Sequence, residues 1–320
     1  MPIFFDRFRA AVSRYAEGVH ELGDPASKAA RKAAAERLGR PLPAGFDDLY
    51  ISWDGLRLFT DSFVLESLSR LAVEDERTLR LGEALGAPLV VDGEGRLYEL
   101  DELGDRLLTG SSVERWLDAT GAREGLLVER DGEWKDVFAS GEETLKPEVR
   151  KKRIRAGLKA DPESATGQLE AAELAFESGT IEEATEALER AVAADAGAGV
   201  AWELLGGLRR RSERSADAEA CFVRAAESTR DPVRRAERWA EAARAAKEAG
   251  RDAATYARAA ISADEKTLDG WVSDAEERLR EGDLDGAANL SELLDAVKGG
   301  APEVAKLARD VRMRKALRVS

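Results

Sequence analysis

A recurrence of 34 residues in the second half of the chain constrains its fold more than any other feature. Small and large apolar residues of one segment return at the same spacing in the next segment. A period of this length is typical of helix pairs that stack on their neighbours, because a single pair cannot bury its apolar face. The recurring positions are Ala172 and Gly206, Ala184 and Ala218, Leu188 and Phe222, Ala191 and Ala225, and Asp161 and Asp195.

Two further copies follow with small changes in length, and Trp202, Trp239 and Trp271 begin three of the copies. In the last two copies a glycine follows the tryptophan after 11 residues, and the segment 202–206 reads WELLG. This pattern resembles the tetratricopeptide (TPR) repeat. The resemblance implies an all-α TPR-like solenoid over residues 146–320, with about four helix pairs, a leading half repeat and a closing helix.

Residues 1–145 follow a different pattern, which predicts an α+β domain of helices and a small, mostly antiparallel sheet. Apolar residues at helical spacing predict a first amphipathic helix, and a second helix is expected over residues 26–38. The face of the first helix consists of Phe4, Phe8, Val12, Tyr15 and Val19.

Turn signals in the same domain predict two hairpins and a later helix. Apolar runs flank the turns at 93–95 and 130–132. Such runs around glycine-containing turns are typical of paired antiparallel strands. Ser111 or Ser112 would cap the helix that follows the first hairpin, and Gly121 would end it.

Short motifs in residues 30–120 resemble the SUKH superfamily, which includes bacterial immunity proteins and fungal cell-wall-synthesis regulators. The usual pattern is a helix ending in Glu-x-x-Leu-Gly, a Leu-Pro, an aromatic-rich helix, a tight turn and an edge strand. The chain departs from it in Glu36-x-Leu38-Gly39, one position short, and in Asp54 where Asn is commoner. The residues that carry the resemblance are Leu38-Gly39, Leu42-Pro43, Phe46, Leu49-Tyr50, Trp53-Asp54-Gly55 and Leu58-Phe59.

The residues that usually carry chemistry are scarce in this sequence. One cysteine and one histidine cannot supply the four ligands of a structural zinc site. No phosphate-binding or nucleophile-elbow motif occurs. His20 is expected at a helix end and Cys221 in the core, so neither predicts catalysis. We therefore expect no catalytic residue, no metal and no cofactor.

The net charge of −14 argues against nucleic acid as a partner, because an acidic surface repels phosphates. No apolar run is long enough to span a membrane. A single cysteine fits a reducing compartment, so we expect a cytoplasmic protein without membrane contact. Arginine outnumbers lysine by 37 to 12, which favours a bacterial source with a GC-rich genome.

Two surfaces are candidates for protein binding. Counting from the tryptophans predicts a basic stripe on the inner face of the repeats, which would attract an acidic peptide segment. The alternative is a solvated helix face with intrahelical ion pairs. Trp53 and Phe59 could form a patch at a sheet edge or belong to the core. The stripe consists of Arg210, Arg211, Arg244, Lys247 and Arg280.

These observations favour a non-enzymatic protein that binds other proteins. The SUKH resemblance implies an immunity-type protein that neutralises a toxin domain. Two alternatives stay open at this point, a TPR adaptor that assembles a regulatory complex and a carboxylate-dependent hydrolase within residues 40–140.

Overall fold

The computed structural model describes residues 3–139, 144–298 and 300–319. The chain forms two compact units, residues 1–198 and 199–320. The strands of the first unit are β1 (His20–Leu22), β2 (Leu56–Leu58), β3 (Phe63–Leu65), β4 (Ala72–Val73), β5 (Thr78–Ala84), β6 (Ala87–Asp92), β7 (Leu97–Leu100) and β8 (Arg106–Gly110). Its helices are α1 (Ile3–Val12), α2 (Lys28–Leu38), α3 (Phe46–Ser52), α4 (Val113–Glu124), α5 (Pro147–Ala160), α6 (Ala165–Glu177) and α7 (Ile181–Ala194).

The strands form one sheet in the order β1-β2-β3-β5-β6-β7-β8, with β4 paired to β5. Every strand pair in it is antiparallel. Gly82 lies at a bulge in β5, where a Cβ atom would come within 1.9 Å of the Val64 carbonyl oxygen. Only glycine fits this close approach, so the bulge depends on that residue. The predicted α+β architecture is confirmed.

Helix signals in the sequence work locally as expected. The Ser27 hydroxyl caps α2 by accepting from the amide of Ala30, and Gly39 ends the helix with φ of 67°. The Ser112 side chain caps α4. The prediction that Gly121 ends α4 is wrong, because the helix continues to Glu124.

Of three other predictions in the first unit, two need correction and one is confirmed. Helix α1 ends at Val12, so Tyr15 and Val19 lie beyond it. The hairpin around residues 93–95 is confirmed as β6 and β7. Around residues 130–132 the described flanking segments pair through one antiparallel bridge, Val128 with Trp134, and the hydrogen bonds beside it, but they form no regular strands.

The segment behind the SUKH resemblance has the expected succession of elements, with one difference. A helix ends at Leu38, an aromatic helix spans 46–52, and strand β2 follows the turn at Gly55. Strand β2 pairs with β1 on one side and β3 on the other, so it is an internal strand and not an edge strand. The superfamily assignment itself stays a prediction.

Two aspartates that are 34 residues apart attach the first helices to edge strand β8. Asp161 follows α5, and its carboxylate accepts bonds of 2.7 and 2.8 Å from the amide and hydroxyl of Ser111. Asp195 follows α7 and accepts a bond of 3.1 Å from the amide of Leu108. The Thr166 hydroxyl donates to the Leu108 carbonyl at 3.4 Å. These bonds satisfy the outer backbone groups of the edge strand.

The attachment explains why the first compact unit extends to Ala198 and thus includes α5, α6 and α7. The sequence pattern changes near residue 146, whereas the packing changes about fifty residues later. A domain boundary at 145/146 stays a prediction about where the repeats begin.

The second unit is built entirely from helices within the residues that the structure describes. Its helix pairs match the repeat: Gly206 lies where a Cβ atom would meet the Phe222 ring at 3.0 Å. The helices are α8 (Gly199–Arg211), α9 (Ser215–Glu227), α10 (Pro232–Glu248), α11 (Ala254–Ala263), α12 (Lys266–Glu281), α13 (Leu284–Lys298) and α14 (Pro302–Val319). They follow α6 and α7 of the first unit and confirm the predicted run of helices after the sheet. The number of repeats stays a prediction.

The three repeat tryptophans differ in burial. Trp271 is 7% exposed and belongs to the core, whereas Trp202 and Trp239 are half-buried. The Trp239 ring stacks on Tyr256 at 5.8 Å. Its neighbour Arg238 is buried instead, paired with the Glu203 carboxylate at 2.9 Å. The repeat therefore places tryptophan at one position in sequence but not in one environment.

Among the described residues, no helix is both long and apolar enough to cross a membrane.

Candidate functional site

The predicted basic stripe lies on the second unit, but its charges are largely paired. Arg210 and Arg244 both bind the carboxylate of Glu241. Lys247 donates to the Asn289 carbonyl at 2.9 Å and lies 3.5 Å from Glu292. Ion pairs of this kind cancel much of the field that would attract an acidic partner.

The other two members of the stripe, Arg211 and Arg280, are exposed. The alternative considered from the sequence was a helix face with ion pairs inside each helix. Arg244 fits it, because Glu241 is on the same helix, whereas Arg210 binds Glu241 from another helix. The sequence could not show that the two arginines share one carboxylate. Arg244 is 3 residues from Glu241 on α10, but Arg210 is 31 residues away on α8 and reaches it through the packing of the two helices.

Arg280 lines a groove of about 450 Å³ between helices α12 and α14, which we call the closing groove. Its wall combines apolar and charged side chains, with the positive charges in excess. The Arg314 guanidinium donates to the Leu279 carbonyl at 2.7 Å, which holds the two helices together. The residues lining the groove are Glu276, Leu279, Arg280, Lys306, Asp310, Met313, Arg314 and Leu317.

Helix α14 has two apolar faces in different states. Val304, Leu307 and Val311 are buried in the core of the second unit. Met313 and Leu317, which line the closing groove, are 58% and 73% exposed. Large apolar side chains at this exposure next to a groove mark an interaction surface more often than scattered single ones do.

Trp53 and Phe59 do not form the surface patch that was one of the predictions. Trp53 is 1% exposed and packs edge-on against Phe5 at 5.5 Å, and Phe59 is 7% exposed. The prediction of a surface patch is therefore wrong for Trp53, because α1 packs over its ring. Phe59 belongs to the core as well, although one side of its ring lines a cleft beside His20.

A partly buried cluster of charges in the first unit was not recognised in the sequence. The Arg123 guanidinium lies 2.6 Å from Glu170, and Arg153 lies 2.8 Å from Glu124. Gly157 makes this possible, because a Cβ atom there would meet the Arg123 side chain at 2.7 Å. The cluster joins α4, α5 and α6.

The same cluster bears on the hydrolase alternative. Burial raises the pKa of Glu99, which accepts a bond of 2.7 Å from the Thr109 hydroxyl. A carboxyl group of raised pKa is a candidate general acid. However, its cavity measures about 70 Å³, well below the few hundred Å³ of ordinary ligand pockets. The cavity can hold water but no ordinary substrate, so the hydrolase stays a prediction without a substrate site here.

Two further expectations concern metals and the cysteine. No group of three potential metal-ligating side chains occurs in the part of the chain that the structure describes. Cys221 is buried, as expected for a core thiol.

One feature of the first unit was visible in the sequence, but its role was not predicted. The 34-residue spacing of Asp161 and Asp195 was visible, but their role in binding β8 was not. A buried carboxylate at the end of successive helices signals a shared partner. Its identity depends on which strand lies at the sheet edge, and that is set by the tertiary fold.

Comparison with known proteins gives only distant likenesses. No protein-family model matches the sequence, and no curated protein does. The crystal structure of MamA protein is 18% identical over 38% of this chain and 65% of its own, with a TM-score of 0.33. Pseudomonas aeruginosa pilF is 19% identical over 54% of this chain and 82% of its own, with a TM-score of 0.36.

A third structure is that of PilW, described as a widely conserved type IV pilus biogenesis factor. It is 17% identical over 53% of this chain and 84% of its own, with a TM-score of 0.32. The match to MamA protein spans less than two thirds of that chain. Likeness at this level carries no conclusion about function, and the helix pairs described above stand on their own geometry.

Proposed function

We propose that this chain is a protein-binding protein, and that its second unit takes an acidic, partly apolar segment of a partner into the closing groove. The observation that carries the proposal is the pair of exposed apolar side chains, Met313 and Leu317, beside the cations Arg280 and Arg314. An apolar anchor with a charged rim is the usual composition of a protein interface.

The distribution of charge supports an acidic partner. Residues 199–320 contain 23 Lys and Arg against 23 Asp and Glu, so the unit as a whole is neutral. Within it, residues 306–315 contain five Lys and Arg against one Asp. A local excess of positive charge on a neutral unit steers an oppositely charged segment toward that place.

This proposal narrows the sequence prediction of a long basic stripe. Arg210, Arg244 and Lys247 are already paired with acidic side chains, so they contribute less to binding than Arg280 does. Exposed pairs of this kind are worth at most about 1 kcal/mol each. The stripe is thus reduced to its end near α14.

The test uses a synthetic amphipathic peptide with a Glu-rich face and a Leu-rich face, and two matched peptides. One control replaces Glu by Lys, and the other replaces Leu by Ser. We expect surface plasmon resonance to show binding of the first peptide only, with association that slows as salt is raised.

Two variants of the protein locate the site. Arg280→Glu should slow association several-fold, and Met313→Ser with Leu317→Ser should speed dissociation. Arg258→Glu, an exposed arginine on α11, is the matched control for charge. Equal binding by all three peptides, or by the variants and the wild type, would contradict the proposal.

The more specific roles predicted from the sequence are refinements of this proposal. An immunity-type protein would bind a toxin domain and protect a host cell from it, whereas an adaptor would join components of a regulatory complex. The SUKH resemblance of residues 36–59 supports the first role. Protection of cells that express a neighbouring toxin gene, and its loss on deleting this chain, would distinguish it from the second. Cytoplasmic location and a bacterial source are part of both roles.

A further inference from the structure

A cleft of about 400 Å³ in the first unit shares no lining residue with the groove of the proposed function. It opens between α1 and α4, beside His20 at the start of β1. Its floor is apolar and its rim carries charges, which is the usual composition of a small-molecule site. The lining residues are Phe8, Ala11, Val12, Arg14, Tyr15, His20, Phe59, Leu117, Asp118, Gly121, Ala122 and Arg130.

His20 lines this cleft and carries a hydrogen-bond donor. Its Nδ1 accepts a bond of 3.3 Å from the amide of Phe59, so the ring proton of the neutral imidazole resides on Nε2. Burial lowers the pKa of His20 to about 4, which keeps the ring neutral near pH 7. Nε2 is buried and has no acceptor among the described residues.

Neighbouring rings fix the orientation of that imidazole. Tyr15 and Phe59 each contact it edge to face, with ring centroids 4.6 Å from the imidazole. A buried N–H group without an acceptor costs free energy, typically about 1–3 kcal/mol. Nε2 has almost no accessible surface, so a ligand acceptor would recover that cost once the side chains that cover Nε2 had moved aside.

The charges around the cleft indicate which acceptor fits. Arg14 and Arg130 are exposed at its rim. Burial raises the pKa of Tyr15, and the nearby charge of Arg130 opposes this rise. The one acidic residue of the lining is Asp118. Burial raises the pKa of Asp118, and the charge of Arg7 opposes the rise. Two arginines against one carboxyl favour an anionic group at the rim.

The loop that carries Arg130 is held in place by its backbone. The Arg130 carbonyl accepts a bond of 2.6 Å from the amide of Ala16. This bond joins the loop that carries Arg130 to the segment between α1 and β1. That segment carries Arg14 and leads directly to His20, so the bond holds the three residues at one end of the cleft. A preformed arrangement of this kind reduces the ordering that binding requires.

We propose that this cleft binds a small carboxylic acid with an aromatic or branched apolar body. The body would lie against Phe8, Val12 and Leu117. The carboxylate would accept the Nε2 proton of His20 and pair with the guanidinium groups of Arg14 and Arg130.

The probe for the test is 3-phenylpropionate, and 3-phenylpropan-1-ol is the matched neutral control. His20 is the single histidine of the chain, so its imidazole gives one assignable set of NMR signals. In the free full-length protein we expect the Nε2-protonated neutral form near pH 7. On addition of 3-phenylpropionate the Nε2 signal should shift and saturate, and the alcohol should bind at least about fivefold more weakly.

Two variants assign the contacts. Arg130→Gln should lower the affinity for 3-phenylpropionate about fivefold and leave the lower affinity for the alcohol unchanged. Arg57→Gln, an exposed arginine in the same unit that pairs with Asp61, is the matched control and should change neither. Because Arg130 is exposed, its loss is not expected to unfold the protein.

Three results would overturn the proposal. One is the absence of any shift of the His20 signals up to millimolar probe. Another is binding that shifts other NMR signals but not those of His20, with the same affinity for 3-phenylpropionate in Arg130→Gln as in the wild type. The third is equal affinity for the acid and the alcohol, which would exclude the carboxylate contact.

Discussion

The two compact units bury different side chains. The core around the sheet of the first unit consists mainly of large residues, among them Trp53, Tyr50 and Phe46. In residues 199–320 alanines form much of the core, at positions such as Ala243 and Ala246. The first unit fills space between a sheet and helices with bulk, whereas the second brings helix backbones close together.

Charge differs between the units as well. Residues 1–198 contain 26 Lys and Arg against 40 Asp and Glu, so they carry the whole net charge of −14 and the second unit carries none. In the first unit Arg123 and Arg153 form ion pairs beneath the surface. The difference teaches that the acidity of the whole chain says little about either surface, because each unit must be read by itself.

The largest expected effect tests the bulky core of the first unit. Trp53→Ala should reduce the free energy of unfolding by about 3–5 kcal/mol, because it leaves a cavity among Phe5, Phe8 and their neighbours. Urea unfolding followed by circular dichroism measures it. Trp134→Ala removes a ring that is 58% exposed and is the control. A loss for Trp53→Ala no larger than that for the control would contradict the described core.

The next effect compares one repeat position in the two units. Asp195→Ala should cost about 2–3 kcal/mol, because it leaves the amide of Leu108 without its acceptor. Asp264, at the same place after α11, accepts a bond of 3.2 Å from the amide of Lys266 in its own turn, and Asp264→Ala should cost at most about 1 kcal/mol. Equal losses in urea unfolding would mean that Asp195 does not hold α7 to the sheet.

A third change tests the close packing of the second unit by enlarging a side chain. Ala243→Leu, at a fully buried site, should cost about 2 kcal/mol because the helices cannot separate without losing other contacts. Ala220→Leu, on the exposed side of α9, should be close to neutral. Thermal unfolding of the two variants compares them, and similar melting temperatures would mean that the alanine core has spare room.

The smallest effect concerns pH and His20. The folded state lowers its pKa from 6.5 to about 4, so between these values the unfolded chain binds more protons. Stability should therefore fall as pH is lowered through this window and stay constant above it. After allowance for partial exposure the loss is about 1 kcal/mol.

Urea unfolding near about pH 7.5 and about pH 5 measures this loss in the wild type and in His20→Phe, which lacks the titrating group. Burial raises the pKa of Glu99, which has the opposite sign, but it is common to both proteins and cancels in the comparison. The proposal of a neutral, buried His20 fails if the two proteins show the same dependence on pH.

The sequence predicted the helix pairs well because the spacing of Ala184, Ala218 and their equivalents follows directly from helix geometry. It failed where an outcome depends on residues far apart in the chain. Glu241 neutralises Arg210 from another helix, and the burial of Arg238 rather than Trp239 depends on Glu203. The closing groove was predicted only through Arg280, because Met313 and Leu317 resemble core residues until the packing of α14 is known.

The aspartates at the ends of α5 and α7 also determine how the chain can be divided. A fragment that stops at residue 145 would lack Asp161 and Asp195, and the amides of Ser111 and Leu108 would face water on an open strand. An open strand is a template for pairing with another molecule, so such a fragment should form β-rich aggregates. A cut after Ala198 keeps the strand covered. The helical repeats closest to the sheet thus act as its protective edge.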